Sequence, residues 1–204
     1  MPAIARGDHI SSDFADRSDE MRECGVTHLG PSLMRWRRLR GAKQSYVAEL
    51  CGVSQATLSR IENGLCQPSQ SQARRLRILM QARPDGSADH ALLRLVRDSN
   101  GASHLVCDFS HRLLCASRPR EREWRVSAGS LIGTSLWRYA SDEIRNAEAR
   151  LTDYGWYDRA DSSIEFQTDA NKSVEVPIRK GRTLWTRLQL SDGTMVRLVE
   201  TISH

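Results

Sequence analysis

A run of polar and small side chains between residues 55 and 60 has the chemistry to contact the edges of base pairs. The residues are Gln55, Ala56, Thr57, Ser59 and Arg60. Amide, hydroxyl and guanidinium groups form hydrogen bonds at base edges, and small side chains allow close approach. This run suits the major groove of double-stranded DNA, provided that the fold presents it on the exposed face of one helix.

Two short predicted helices and a tight turn would position this run. The first helix covers residues 44–51, with apolar residues along one face. Its inward residues are predicted to be Val47, Ala48 and Cys51. Gly52-Val53-Ser54 forms the turn, where glycine adopts a backbone shape that a side chain hinders, and Ser54 can cap the next helix. Asn63-Gly64 ends that helix, because both residues tolerate left-handed dihedral angles.

Two further helices complete the segment from residue 31 to residue 83. Pro31 begins the first helix of the segment, and Gly41 ends it. Pro68-Ser69 begins the last helix, in which apolar residues recur at helical spacing. The predicted inward residues of the last two helices are Leu58, Ile61, Ala73, Leu76 and Leu79. We interpret residues 31–83 as a bundle of four helices, preceded by a polar, mobile arm at residues 1–30.

The net charge of the chain, +5 at pH 7, is concentrated in this helical segment. Residues 31–83 carry 10 basic and 2 acidic residues, a net of +8, whereas residues 1–30 have a net charge of −3. Residues 84–204 carry 17 of each sign and are neutral. A basic module beside a neutral domain indicates one anion-binding unit and disfavours a uniformly basic, histone-like protein.

The helical segment resembles the phage-repressor-like helix-turn-helix family, also called the Cro/C1 or XRE family, over about residues 32–80. The residues that carry the resemblance are Gln44, Ala48, Gly52, Ser54, Ile61, Glu62, Gly64 and Pro68. In helix-turn-helix proteins the second helix of the motif reads DNA. The resemblance implies that the base-reading positions are Gln55, Ala56, Ser59 and Arg60, with Thr57 on the same helix. For Arg60, a phosphate contact is the alternative to a base contact.

The same resemblance implies contacts with the phosphate backbone and one internal ion pair. Gln44 and Asn63 would hold phosphates at a helix N-terminus or a neighbouring turn. Arg40 and Lys43 are interpreted as phosphate contacts or as solvated side chains. The internal, structural ion pair that many members of the family contain would join Arg37 and Glu62.

The order of elements changes beyond residues 84–88, a linker-like break of sequence Pro-Asp-Gly-Ser-Ala. A helix at residues 89–98 comes next, and a two-stranded hairpin follows around Phe109-Ser110-His111. A mixed, partly helical stretch then leads to three closing strands. These strands are predicted at residues 164–168, 183–190 and 195–202, with the turn Asp192-Gly193 between the last two. Residues 89–204 are thus predicted to form a second domain, a five-stranded antiparallel sheet with flanking helices.

This order of elements resembles that of PAS-like sensor domains. Leu131-Ile132-Gly133-Thr134-Ser135-Leu136 is similar to the phrase that opens the central helices of that family, and Trp185 fits its closing strands. The resemblance implies a domain of a kind that often binds a small ligand, haem or flavin in its core and often dimerises through its flanking helix. The tryptophans of the domain either line such a pocket or pack in the core, which is the commoner fate. They are Trp124, Trp137, Trp156 and Trp185.

The sequence offers no convincing metal, cofactor or catalytic site. The spacing of His104, Cys107, His111 and Cys115 invites a zinc interpretation, but residues three apart on a strand face opposite sides. Cys107 and Cys115 are therefore interpreted as small buried residues. The sequence contains neither a nucleophile-elbow motif nor a phosphate-binding glycine loop. We assign no metal, no cofactor and no enzymatic activity.

Together these features predict a sequence-specific DNA-binding transcriptional regulator. We expect a bacterial protein that binds double-stranded DNA as a homodimer, with the second domain supplying the dimer contact, a ligand-controlled switch or both. We expect it to be cytoplasmic, because no apolar run of about 20 residues could span a bilayer and no apolar signal core precedes residue 30. One alternative is an adaptor whose second domain binds another protein, such as a sigma factor or an anti-activator. Another is a toxin–antitoxin component with a catalytic second domain.

Overall fold

The computed structural model describes residues 29–202 of the chain. The predicted arm, residues 1–30, lies outside the described residues except for Leu29 and Gly30. The described chain forms two units, a helical bundle and a five-stranded antiparallel sheet with flanking helices. The predicted fold class is confirmed.

Four helices of the described chain build the bundle. They are α1 (Leu29–Leu39), α2 (Gln44–Cys51), α3 (Gln55–Glu62) and α4 (Gln70–Leu79). Each helix turns an apolar face towards a common core. The buried members of this core are Leu29, Leu33, Trp36, Val47, Ala48, Cys51, Leu58, Ile61, Ala73, Leu76 and Met80. The inward faces predicted for α2, α3 and α4 are confirmed, although Leu79 is only half-buried at the edge of the core.

Helix α1 extends further towards the N-terminus than the sequence indicates. Leu29 and Gly30 already belong to it, although the prediction begins the helix at Pro31. Proline is tolerated in the first turn of a helix, where its missing N–H would have no intrahelical partner. Leu29 is completely buried, so it adds an apolar side chain to the core of the bundle.

The sheet unit begins with α5 (Ser87–Arg97), which starts inside the predicted linker at residues 84–88. Its strands are β1 (Ser103–Cys107), β2 (Leu113–Ala116), β3 (Ser163–Thr168), β4 (Gly181–Gln189) and β5 (Met195–Ile202). The strand order is β2-β1-β5-β4-β3, and all neighbours are antiparallel. Between β2 and β3 lie α6 (Arg118–Glu123), α7 (Ala128–Leu131), a 3₁₀ helix (Leu136–Tyr139) and α8 (Asp142–Ala149). None of the described helices is long and apolar enough to cross a lipid bilayer.

The two hairpins predicted from turn residues are both present. β1 pairs with β2 on either side of residues 109–111, and β4 pairs with β5 from Gln189 opposite Met195 to Arg182 opposite Ile202. The predicted strand limits differ from the observed ones by at most two residues. Turn residues and alternating apolar side chains are local signals, and they were sufficient to locate these strands.

The sheet carries apolar packing on both faces. Leu105 and Cys107 of β1 pack in one cluster with Val96 of α5, whereas Val106 packs in another cluster with Trp124. Successive side chains of a strand point to opposite faces, so these two clusters cover the two sides of β1.

Candidate nucleic-acid interface

The turn between α2 and α3 is held in shape by glycine and by an arginine of α4. Gly52 has a φ of 67°, in the left-handed region, and its N–H donates to the carbonyl groups of Ala48 and Glu49. A Cβ atom at residue 52 would lie 2.5 Å from Nη1 of Arg75. That nitrogen donates to the Cys51 carbonyl at 3.2 Å, so a larger residue at position 52 would disturb both the backbone and its support.

Local hydrogen bonds define both ends of α3. Ser54 accepts a hydrogen bond from the Thr57 N–H at 3.1 Å, which is the predicted N-cap. The Thr57 hydroxyl lies 2.8 Å from Ser54 Oγ, so this predicted DNA-binding side chain takes part in the cap. At the other end, the Asn63 side-chain amide donates to the Ser59 carbonyl at 2.8 Å, and Gly64 follows with a φ of 71°.

Helix α3 has one buried face and one accessible face. Leu58 and Ile61 are buried in the core of the bundle. Of the five predicted DNA-binding residues at positions 55, 56, 59, 60 and 63, four are exposed and Ser59 is half-buried. Helical spacing directs Ala56 and Arg60 away from the buried face, whereas Gln55 lies in the first turn on the same side as Leu58. The fold thus leaves all four predicted base-reading residues of α3 at least partly accessible.

Glu62, at the end of α3, accepts hydrogen bonds from the two preceding helices, and its side chain has no exposed surface. Arg37 of α1 donates to it through Nε at 2.7 Å and Nη2 at 3.0 Å. Gln44 of α2 donates through Nε2 at 2.8 Å. The hydrogen bond to Glu62 raises the pKa of Arg37. The predicted internal ion pair is confirmed, and Gln44, predicted to hold a phosphate, also has a structural partner.

The N-terminus of α2 lacks the side-chain cap that α3 and α4 have. Ser54 and Ser69 accept hydrogen bonds from the first turns of α3 and α4, whereas Lys43, the residue before α2, forms no such bond. Lys43 is exposed. The first N–H groups of a helix have no intrahelical partner and carry partial positive charge, so this end of α2 beside a lysine suits a phosphate group.

Arg40, another predicted phosphate contact, lies against the sheet unit. Its Nε donates to the Asp192 carbonyl at 2.8 Å, and its Nη2 forms an ion pair with the Asp192 carboxylate. The guanidinium group also lies over the Trp36 ring, 4.9 Å from the ring centroid. Asp192 belongs to the turn between β4 and β5, so this contact joins the bundle to the sheet.

A comparison with protein-family models agrees with the geometry of α2, α3 and their turn. The model described as a helix-turn-helix domain matches residues 28–85. The N-terminal unit is a helix-turn-helix domain. Helix α3 is the second helix of the helix-turn-helix motif, the position of the helix that lies in the major groove in DNA-binding proteins of this kind.

Three solved structures are similar to parts of this chain, or to most of it. The PAS domain of an HTR-like protein from Haloarcula marismortui is 13% identical, with 56% of this chain and 90% of that chain covered and a TM-score of 0.42. A sensory box sensor histidine kinase from Vibrio cholerae is 11% identical, with 57% and 94% covered and a TM-score of 0.37. An RNA-binding light-oxygen-voltage receptor is 10% identical, with 94% and 62% covered and a TM-score of 0.40. No curated protein matches the chain.

The interior of the sheet domain holds a charged cluster that the sequence pattern does not reveal. Asp108 accepts hydrogen bonds from Arg187 Nε at 2.9 Å and from Arg197 Nη2 at 2.7 Å, and these three side chains are at most 4% exposed. Arg197 also donates to Glu148 of α8 at 2.5 Å. The two arginines lie directly opposite each other on β4 and β5, where like charges repel, and Asp108 offsets that repulsion.

Two tryptophan rings enclose Arg197. Its guanidinium group lies 4.2 Å from the centroid of Trp185 and 5.0 Å from that of Trp156. Both tryptophans are buried, and the Trp156 Nε1–H donates to Asp108 at 3.2 Å. Contacts between cations and aromatic faces are stronger where water is excluded. These tryptophans pack in the core of the sheet domain, which is the commoner of the two fates considered above.

The charged cluster predicts a loss of stability in acid. Burial by itself would raise the pKa of Glu148, but the neighbouring Arg197 guanidinium lowers it to about 2, from 4.5. A carboxyl group with a lowered folded-state pKa stabilises the fold above its unfolded pKa, and this contribution is lost as the pH falls through the folded value. We expect the thermal midpoint, followed by tryptophan fluorescence, to fall between pH 4.5 and pH 2. Glu148→Gln should flatten this dependence, and an equally steep profile in the variant would contradict the assignment.

The histidines with zinc-like spacing have separate surroundings. His104 packs edge-on against Trp124 with 5.7 Å between ring centroids, whereas His111 Nε2 lies 3.4 Å from the Glu148 carboxylate. Burial raises the pKa of the Cys115 thiol to about 11. Within residues 29–202, no group of three or more His, Cys, Asp or Glu side chains is placed to hold a metal ion.

Proposed function

We propose that this protein is a sequence-specific transcriptional regulator that acts in the bacterial cytoplasm and binds its operator DNA as a homodimer. The observation that carries the proposal is the division of α3 into two faces. One face is anchored in the bundle through Leu58, Ile61 and Glu62. The other face presents amide, hydroxyl and guanidinium groups to solvent, at the position that enters the major groove in helix-turn-helix proteins.

The proposed contacts with DNA fall into two groups, those with base edges and those with phosphates. Gln55, Ala56, Ser59 and Arg60 would face base edges, because each is accessible on α3, the second helix of the motif. Thr57 would support them through its side-chain contact with the N-cap residue, Ser54. Phosphate groups would be bound by Lys43 and Gln44 at the uncapped start of α2, and by Asn63 at the end of α3.

The charge distribution supports electrostatic attraction to DNA through the helix-turn-helix domain alone. Residues 31–83 have a net charge of +8, and residues 84–204 are neutral. Each phosphate that a basic residue neutralises releases counterions, so the affinity falls with increasing salt. A few such contacts give a moderate salt dependence, and sequence discrimination then rests on the residues of α3.

A homodimer would present α3 twice, in major grooves about 34 Å apart on one face of the duplex. Two linked contacts raise the affinity because the second one forms at a high effective concentration. We assign the dimer contact, ligand sensing or both to the sheet domain, which carries no net charge for DNA binding itself. Footprinting of genome-mapped sites should then show two half-sites related by two-fold symmetry.

Arg60→Ala is the substitution that tests the recognition face. We expect it to weaken binding to the mapped operator by roughly tenfold, because a base contact by arginine is worth about 1–3 kcal/mol. Binding to a random-sequence duplex should change little. Gln55→Ala should likewise reduce the preference for the operator over the random-sequence duplex. Fluorescence anisotropy with both duplexes at two salt concentrations measures the effects.

Arg118→Ala is the matched control, because Arg118 is an exposed arginine on α6 of the sheet domain. If Arg60 contacts a phosphate instead, both duplexes lose affinity equally and the salt dependence becomes shallower by about one charge. Salt-insensitive binding, or operator discrimination that survives both α3 substitutions, would contradict the proposed function. Binding that appears only after a second protein is added would favour the adaptor alternative.

A further inference from the structure

The turn between β4 and β5 places an acidic residue on the helix-turn-helix domain. Asp192 offers its carbonyl oxygen and one carboxylate oxygen to the guanidinium group of Arg40. The contact is partly accessible, since the Arg40 side chain is 37% exposed and the Asp192 side chain is 24% exposed. Two adjacent oxygen acceptors on one guanidinium group reproduce the way in which arginine binds a phosphate.

The Asp192 side chain is held in this orientation by its own turn. Its other carboxylate oxygen, Oδ1, accepts hydrogen bonds from the Thr194 N–H at 2.8 Å and the Thr194 hydroxyl at 2.6 Å. The preceding residue, Ser191, is tied to the buried Asp89 of α5 through its N–H at 2.9 Å and its hydroxyl at 2.6 Å. The acidic group is therefore a fixed part of the sheet domain rather than a freely moving surface side chain.

The position of Arg40 connects this contact with DNA binding. Arg40 lies just before Lys43 and the uncapped N-terminus of α2, the surface proposed above to bind phosphates. A guanidinium group that is paired with Asp192 contributes little to the attraction of a DNA phosphate. The same carboxylate also places a negative charge beside that surface.

We propose that Asp192 is an intramolecular mimic of a DNA phosphate, through which the sheet domain restrains DNA binding by occupying Arg40. This inference rests on the proposed DNA-binding function. Movement of the β4–β5 turn away from α1 would release Arg40 for a phosphate contact. The sheet domain can thus lower the DNA affinity of the helix-turn-helix domain without covering α3.

Asp192→Asn tests the mimic, because asparagine retains the Oδ1 acceptor for Thr194 but loses the charge that pairs with Arg40. The probe is a random-sequence duplex of about 30 base pairs, labelled for fluorescence anisotropy. Random sequence is suitable because phosphate contacts dominate such binding. We expect the variant to bind roughly three- to tenfold more tightly, with a salt dependence steeper by about one charge. Asp169→Asn is the matched control, since it removes one acidic charge paired with Lys180 beyond the opposite end of β4.

Arg40→Gln distinguishes mimicry from a general charge effect. The gain in DNA affinity from Asp192→Asn should disappear in the Arg40→Gln background, because the guanidinium group that the substitution releases is then absent. An equal gain in both backgrounds, or an equal gain from Asp169→Asn, would overturn the inference. If the wild-type protein and Asp192→Asn both fail to bind the duplex in a salt-sensitive way, the proposed DNA-binding function itself fails.

A measurement on the wild-type protein keeps the inference testable if Asp192→Asn lowers the folding stability. In the free protein the Arg40 Nε–H donates to the Asp192 carbonyl. Its NMR resonance should shift on addition of the duplex as the guanidinium changes partner. An Arg40 Nε–H resonance that stays unchanged while the duplex binds would overturn the inference.

Discussion

Replacing Arg197 by leucine is expected to lower the free energy of unfolding of the sheet domain by about 3 to 5 kcal/mol. The guanidinium group is almost completely buried and donates to both Asp108 and Glu148. Its removal leaves the buried carboxylate of Asp108 and the largely buried carboxylate of Glu148 with a single remaining arginine, Arg187, to offset their charge. Breaking a buried ion pair from one side is costly because the remaining charge keeps its desolvation penalty.

Thermal unfolding followed by tryptophan fluorescence measures this loss, since Trp156 and Trp185 enclose Arg197. The midpoint should fall by roughly 10 °C for a chain of this size. Arg182→Leu is the matched control on the same sheet, because its ion pair with Glu165 is partly exposed and is worth less than about 1 kcal/mol. Equal losses in the two variants would contradict the structural role of the cluster.

A second substitution separates the loss of charge balance from the loss of packing. Glu148→Met in the Arg197→Leu background removes one of the uncompensated carboxylates. The double variant should therefore be more stable than Arg197→Leu alone, because apolar groups of similar volume can replace a buried ion pair at little cost. A double variant that is less stable than the single one would show that packing dominates.

Replacing Glu62 by alanine is expected to destabilise the helix-turn-helix domain by about 3 kcal/mol. Glu62 is fully buried and accepts hydrogen bonds from Arg37 and Gln44, so its loss leaves two donors without their acceptor. The expected cost is at the lower end of the range for buried pairs, because Arg37 is 13% exposed and retains some contact with water. The end of α3 would also lose its connection to α1 and α2.

Urea unfolding followed by circular dichroism measures this effect through the helical signal. Glu49→Ala is the control, because Glu49 is an exposed acidic residue of the neighbouring helix α2 and its loss should change the free energy of unfolding by less than about 0.5 kcal/mol. DNA affinity should fall together with stability in Glu62→Ala. A variant as stable as Glu49→Ala would show that the buried carboxylate is not required for the bundle.

Local signals were sufficient to predict the helix-turn-helix motif and the strands. The Ser54 cap, the Gly52 turn and the Asn63-Gly64 stop each depend on the backbone preferences of a few adjacent residues, and the structure contains all three. Asp192-Gly193 likewise located the β4–β5 turn. Helical spacing likewise predicted that Leu58 and Ile61 face the core and that Ala56 and Arg60 remain accessible.

Partners that are distant in sequence could not be predicted from these signals. Arg187 and Arg197 meet Asp108 across 79 and 89 residues, and Arg40 meets Asp192 across 152. Charged residues on a strand are usually solvated, so their types alone did not indicate a buried cluster. The start of α1 was also predicted too late, because the burial of Leu29 depends on helices that follow it.

The sequence by itself determined the order of the elements, the helix-turn-helix motif and the residues that α3 can offer to DNA, because each follows from short-range backbone and side-chain preferences. Only the tertiary structure decided which charged side chains remain available to bind a partner. Folding buries Arg187 and Arg197 on carboxylates inside the sheet domain and brings Asp192 onto Arg40. The net charge of +8 on residues 31–83 therefore overstates what DNA would meet. The energy of a charge depends on its neighbours and its exposure to water, and these are set by the fold.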